Sequence, residues 1–406
     1  MIKFSSSPHR IVLRAGLAYS ISFIVYASYM VNVNGYLPSP FFYDRFDPFM
    51  DFFNIAYQAI SGDAYSSYKV FYSPLILTFL SKIIGNACAN SIDSVELRRC
   101  GLDIYLISVL IEFLLIGILL KVIIGSRKNA NWWLVLFMLS FPMMFAIERG
   151  NLILLSLLAT SFLILLKNEV YRGAVFSLIS ITKYYMLILV IPYMIARKFR
   201  LFGVFIFTFL ILHLIFGELY GDGNWVKIPL HIKSFATNAN GTIDSLWANT
   251  SIFPMLTKLG SVTFDLPVLF VSYLFASYLL WRYLSYLIHI NIRSRDSLMH
   301  ALMVTLIFLL VFTSAAGYYS IILLYPFYCY FLMREMFSED EKIIIILSIL
   351  PYPFLGVNLI SKTSVSYFNG SEMNYMVALG VHSFIPPILL TLLFYKLTSW
   401  EVKHES

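Results

Sequence analysis

The stretch "GAVFSLISITKYYMLILVIPYMIARKFR", residues 173–200, decides how the whole chain is threaded. Its first 24 residues, 173 to 196, are long and apolar enough for one membrane span, since a bilayer core asks for about 20 residues of helix. As a single span it would put Arg197, Lys198 and Arg200 on the side opposite Arg172, whereas cytoplasmic loops collect basic residues. It would also strand Lys183 near the bilayer middle, which costs several kcal/mol. A hairpin of two short helices that turns at "KYYM" near the outer face removes both conflicts. Short broken helices are tolerated only where protein or a water-filled cavity surrounds them, so Lys183 is expected to point into a cavity that opens outward.

The rest of the chain has the same character. With 59% hydrophobic and 13% charged residues, it cannot hide its apolar side chains inside a soluble globule. Apolar runs of helical length recur and barrel-type alternation is absent, so helices are the spanning elements. The first run, "IVLRAGLAYSISFIVYASYMV", is too long for a signal-peptide core and lacks a cleavage site after it; it reads as a retained span. The net charge of +7 sits in short loops, where it sets orientation; no nucleic-acid partner is expected.

Arg10 and Arg14 hold the N-terminus inside, and residues 15–33 cross. Residues 34–100 stay outside, 101–122 return, and 132–147 and 152–166 form a pair joined outside by "ERGN". Later spans fall near 200–217, 262–283, 297–313, 318–333, 342–360 and 376–396, with Arg282, Arg293, Arg295, Arg334 and Lys396 inside. The expectation is an all-α polytopic membrane protein of about 11–13 transmembrane helices, a single domain over residues 1–406, lying in the cytoplasmic (inner) membrane. Further external segments are 218–261 and 361–375. Cys88 and Cys100 flank one polar segment and would pair only in an oxidising compartment; the simpler reading leaves them as free thiols.

The long first external loop holds "DRFDPFMDFFN", residues 44–54, three carboxylates among aromatics. Asp47 before Pro48 looks like a helix cap and first turn. The helix so begun runs to Gly62, with Phe49, Phe52, Phe53, Ala56 and Ile60 as an apolar stripe suited to the outer membrane surface. Asp51 then lies in the first turn, where the helix dipole favours its ionised form. Asp44 is read as a partner of Arg45, and a divalent metal held by Asp44, Asp47 and Asp51 is ranked low because one of the three serves as a cap.

The run "MDFFNIAYQAISGDAYSSYKVFYSPLILTFL" resembles the first external loop of glycosyltransferase family 87, membrane enzymes of the GT-C class that take mannose from a polyprenyl-phosphate donor. Asp51, Phe52, Tyr57, Ala59, Gly62, Tyr65, Tyr72 and Pro74 match that pattern, and Ser73 replaces its first proline. The block from "ERGN" to "RKFR" is similar to the family's glycine-asparagine corner and lysine-tyrosine hairpin, with Tyr185 where proline is usual. The late loop "SAAGYYSIILLYPF" departs from the family: Gly317, Tyr318 and Tyr319 stand where many relatives carry a histidine.

The resemblance implies a GT-C-type bundle and transfer of a hexose, mannose in the family, to a glycan or glycolipid acceptor at the outer face. The donor would be a polyprenyl-phosphate sugar presented from the lipid bilayer. Asp51 would be the base, as the family's corresponding aspartate is assigned to be, with inversion at the anomeric carbon. Arg149 and Lys183 would hold the departing phosphate, so that neither metal nor cofactor is called for. The structural alternatives pair Arg149 with Glu148 and Lys183 with an acid such as Glu112. Asn151 would cap the next helix or join the site, and Tyr65, Tyr318 and Tyr319 are further candidates for binding substrate. A transporter or flippase would show symmetric broken helices in both halves, and an O-antigen polymerase or ligase a large late loop with arginine and histidine; this chain shows neither.

Overall fold

The computed structural model describes residues 7–35, 37, 48–70, 72–88, 91, 93–127, 129–232, 266–312, 318–352, 363–366, 372–375 and 381–399. In chain order the helices are α1 (Pro8–Asn34), α2 (Met50–Ile60), α3 (Pro74–Ala87), α4 (Ser94–Ile124), α5 (Ala130–Met138), α6 (Phe141–Arg149), α7 (Ile153–Leu165) and α8 (Glu169–Thr182). A 3-10 turn (Tyr184–Leu189) leads into α9 (Val190–Ile195) and α10 (Phe199–Tyr220). Then follow α11 (Leu266–His289), α12 (Arg295–Phe312), a second 3-10 turn (Tyr318–Leu324), α13 (Tyr325–Met333), α14 (Glu339–Ser348) and α15 (Val381–Thr398). Between the last two, β1 (Thr363–Ser366) and β2 (Glu372–Tyr375) pair antiparallel, Thr363 opposite Tyr375 and Ser366 opposite Glu372.

This is an all-α polytopic membrane protein with one small hairpin. Among the described residues, five helical stretches are long and apolar enough to cross a bilayer: Pro8–Val33, Ser94–Ile124, Ala130–Arg149, Phe199–Tyr220 and Arg295–Phe312. Shorter apolar helices fill the spaces between them: Pro74–Ala87, Ile153–Leu165, Tyr184–Ile195, Tyr318–Met333 and Ile385–Thr398. The apolar window of α12 is 83% buried and that of α10 is 17% buried, so α12 is the axis of the bundle and α10 lies at its rim. On α4, Leu106, Ile107, Leu110, Ile111 and Leu114 form an exposed apolar face suited to a lipid environment.

Local signals explain the helix ends. Ser73, Asp93 and Asn168 each accept a backbone N–H in the first turn of α3, α4 and α8. Ser338 and Glu341 form a reciprocal capping box on α14. The stretch 173–200 breaks at Lys183, whose backbone is extended, and continues as the 3-10 turn. Gly173 is needed where α8 meets α10, because a Cβ there would lie 2.6 Å from the Leu201 carbonyl oxygen.

Three expectations require correction. The amphipathic helix begins at Met50, not at Pro48, because Phe49 adopts a left-handed conformation (φ 67°) that stops the helix there; Asp44, Arg45 and Asp47 lie outside the described residues. The first external segment is more than a surface loop, since α3 packs between α2 and α10 with Ile76, Leu77, Leu80 and Ile84 buried. Cys88 and Cys100 are joined in a disulfide, because the end of α3 turns back beside the second turn of α4; Cys329 is the buried free thiol.

Maleimide labelling checks that pairing. The native protein is expected to stay unmodified, the denatured unreduced chain to react at one cysteine, and the reduced chain at all three. Three labels without reductant would remove the bridge.

Candidate active site

The corner "ERGN" sets the site. Helix α6 ends at Arg149, Gly150 turns the chain with φ 68°, and Asn151 closes the turn by donating its backbone N–H to the Ala146 carbonyl at 3.0 Å. The Asn151 side-chain oxygen then accepts the Ile153 N–H at 3.1 Å and starts α7.

The first turn of α2 docks directly on this corner. The Phe49 N–H donates to the Glu148 carbonyl at 2.6 Å, and a Cβ on Gly150 would sit 2.7 Å from the Phe49 carbonyl oxygen. Only glycine permits that approach of two backbones. The rings of Phe49 and Phe52 each lie 4.9 Å from Tyr105, whose hydroxyl donates to the Ile147 carbonyl at 2.7 Å. Arg98 of α4 donates to the Pro48 carbonyl at 3.0 Å, so α4 holds the start of α2 from the other side.

That docking brings Asp51 to the corner's side chains. Arg149 Nη2 lies 2.6 Å from Asp51 Oδ1, and Asn151 Nδ2 donates to Asp51 Oδ2 at 3.0 Å. Both oxygens of the carboxylate are engaged, yet its side chain remains 26% exposed and that of Arg149 13% exposed. Arg149 therefore pairs with Asp51 across 98 residues of sequence.

Lys183 completes the group. It is 9% exposed, its ammonium lies 5.5 Å from the Tyr72 ring centre and 5.9 Å from that of Tyr319, and Asp51 is the acid whose charge reaches it. Among the described residues no carboxylate lies within ion-pair distance of Lys183, so the pairing with Glu112 does not form. Tyr185 bonds Ser320 at 3.1 Å, and the Phe145 ring supports Tyr319 at 6.0 Å.

Asp51, Arg149, Asn151, Lys183 and Tyr319 are thus brought together, but Tyr65 and Tyr318 are not. Tyr65 is buried within the first external segment, its hydroxyl donating to the Tyr72 carbonyl at 2.7 Å. Tyr318 is buried against Phe141, with its hydroxyl on the Ser348 carbonyl at 3.2 Å. Tyr72 was visible in the sequence only as a matching position without a role. His213 and His300 are core residues bonded to Tyr184 and Tyr286 respectively. Among the described residues no three His, Cys, Asp or Glu side chains come together as metal ligands.

A second acid braces the first segment. Asp222, just beyond α10, accepts the backbone N–H groups of Tyr65 (2.9 Å), Ser66 (3.1 Å) and Asn224 (3.1 Å), and the Asn224 amide as well. Its burial would raise the carboxyl pKa, but those hydrogen bonds outweigh it and hold the group below its ordinary value. Tyr220 and His231 add bonds to the Gln58, Ala59 and Val70 carbonyls. Nothing in the spacing of residues 65 and 222 announced this brace.

Fold and site together define a polytopic membrane protein with a carboxylate held by Arg149 and Asn151, near the buried Lys183, at one end of its bundle. The model of glycosyltransferase family 87 matches residues 102–314, just over half of the chain. The chain belongs to that family and is a membrane glycosyltransferase, consistent with the GT-C class. No curated protein and no solved structure matches it. The matched segment contains Arg149, Asn151 and Lys183, while Asp51 and Tyr319 lie outside it.

The Asp222 brace has a signed pH dependence. Because its folded pKa is lowered, its contribution to stability is complete above the ordinary value of 3.8 and is lost as pH falls through the folded value. Melting curves of wild type and Asp222→Asn should differ most near neutral pH and converge in acid. A constant gap at all pH values would remove the carboxylate from that role.

Proposed function

We propose that this enzyme transfers a hexose, with mannose the first candidate, from a polyprenyl-phosphate donor to a hydroxyl of a glycan or glycolipid acceptor at the outer face of the cytoplasmic membrane. The observation that carries this reading is the meeting of Asp51 with Arg149 at 2.6 Å beside the buried Lys183, on the rim of a lipid-facing bundle.

Asp51 is the base. It takes the acceptor's hydroxyl proton as that oxygen attacks the anomeric carbon, while the bond from that carbon to the phosphate oxygen breaks. Polyprenyl phosphate departs with the bonding electron pair, and the guanidinium of Arg149 and the ammonium of Lys183 take up the charge that develops. One displacement inverts the anomeric centre. Two fixed cations supply the electrostatic role, so no step is assigned to a metal.

The ion pair adds a requirement of its own. Arg149 holds one oxygen of Asp51 and Asn151 the other, each oxygen keeping a further lone pair, so the donor must compete with the carboxylate for Arg149. The donor phosphate is the exchange partner, since an arginine fork fits phosphate oxygens as well as carboxylate. Donor binding then both neutralises Arg149 and frees Asp51, with Asn151 keeping the carboxylate aimed. Tyr72 and Tyr319 flank the ammonium and offer faces to the sugar or the first prenyl unit.

Orientation rests on two supports. Arg10, Lys121, Arg127 and Lys342 cluster at the bundle end remote from Asp51, as expected of a cytoplasmic face. The Cys88–Cys100 disulfide lies at the Asp51 end, as expected of an oxidising exterior.

Purified protein is to be incubated with radiolabelled polyprenyl-phosphate sugars and membrane extract. Asp51→Asn should lower transfer by about 10²–10⁴-fold while leaving membrane insertion unchanged. Arg149→Gln should weaken donor use even though it releases the base, and Arg149→Lys should restore part of it. Wild-type rates in Asp51→Asn would take the carboxylate out of the chemistry.

A further inference from the structure

At the bundle end opposite Asp51 lies a second polar site. The first turn of α1, the α4–α5 turn and the α13–α14 turn enclose a cavity of about 520 Å³, within the roughly 300–1,000 Å³ of small-ligand sites. Helix α4 is the ruler: Arg98 bonds the start of α2 near Asp51, whereas Ile124 lines this cavity. The 26 residue steps from one to the other span roughly 40 Å, so the two sites face opposite sides of a membrane.

The lining is charged and unevenly paired. Arg127 pairs with Glu335 across the cavity, and Glu339 takes both His9 at 2.5 Å and Lys342 at 3.2 Å. Two acids thus serve two of the three permanent cations and a histidine, and Arg10 is the cation left over. No ion pair involves Arg10 among the described residues, and its Nε is buried without a hydrogen-bond partner. Arg10 is only partly buried, so the rest of its side chain stays open to solvent at the cavity while carrying no ion pair.

Two helix N-termini add fixed positive partial charge. Ser7 makes no side-chain cap on the 27-residue α1, its hydroxyl being bonded instead to His9, and Asn129 makes none on α5. Residues of both termini line the cavity.

We propose that this cavity is a binding site for a phosphate-type oxyanion, held by Arg10 with Lys342 and Arg127 beside it. The group comes either from the headgroup of an anionic phospholipid or from free phosphate on the aqueous side. It would tie α1 to the two turns, at a distance from the transfer reaction that makes the site independent of the function proposed above.

The full-length protein is the material for the test. Its melting temperature is followed in detergent as inorganic phosphate replaces chloride at constant ionic strength. In a second arm it is followed in nanodiscs of phosphatidylcholine with and without phosphatidylglycerol. The same is done for Arg10→Gln, for Lys342→Gln, and for Arg200→Gln as a basic control outside the cavity. At least one probe should raise the melting temperature of wild type and of the control. Both cavity variants should need about tenfold more probe for the same shift, the loss of one charged hydrogen bond. A response to free phosphate identifies a soluble oxyanion, and a response to phosphatidylglycerol alone identifies a lipid headgroup. If either cavity variant does not fold, the other decides. No shift with either probe, or wild-type shifts in the folded variants, overturns the site.

Discussion

One backbone hydrogen bond, from the Phe49 amide to the Glu148 carbonyl, fixes where the side chains of the candidate site meet. It seats α2 on the corner between α6 and α7, and it requires Gly150, because any larger residue would collide with the Phe49 carbonyl. With that contact in place, a carboxylate in the first turn of α2 has one place to go, between Arg149 and Asn151. The aromatic packing of Phe49, Phe52 and Phe53 about Tyr105 makes the seat rigid. The geometry around Asp51 derives from a glycine and a carbonyl before any charged group enters.

The strength of the Asp51–Arg149 pair decides how the site can work. An exposed pair contributes about 0.2–1 kcal/mol, and removing one member of a fully buried pair costs about 3–5 kcal/mol. With side chains 26% and 13% exposed, this pair falls between those limits. The donor phosphate proposed above would offer charge-assisted hydrogen bonds of about 1.5–3 kcal/mol each, of the same order as the pair it would replace. A pair of that strength fits the exchange in the proposed function: it orders the side chains and does not lock them. Lys183, buried between Tyr72 and Tyr319, has no carboxylate at ion-pair distance among the described residues and so carries no such pair.

Much of this was legible in the residues. The lone lysine in an apolar run, followed by a basic cluster, required a break at Lys183, and the helix breaks there. The "ERGN" corner and the carboxylate in an aromatic first turn each carried a local signal. What was not legible depended on contacts between segments far apart. The ion pair joins residues 51 and 149, and neither position names its partner. Tyr65 looked like a substrate residue because its type and place matched a pattern, yet its hydroxyl serves the backbone of Tyr72 and its amide serves Asp222. Cys88 and Cys100 read as separate thiols because nothing local shows that α3 folds back along α4. The left-handed Phe49 that delays the start of α2 follows from docking on the corner, which overrides the Asp-Pro signal before it.

A structure of the protein determined with a non-transferable phosphonate analogue of a polyprenyl-phosphate sugar tests the central claim most directly. The phosphonate oxygens should lie within hydrogen-bond distance of Arg149 and Lys183. The Asp51 carboxylate should be released from Arg149, still bonded to Asn151, and facing the anomeric carbon from the side opposite the phosphonate. A bound analogue whose phosphonate sits elsewhere, with Arg149 still closed on Asp51, would contradict it.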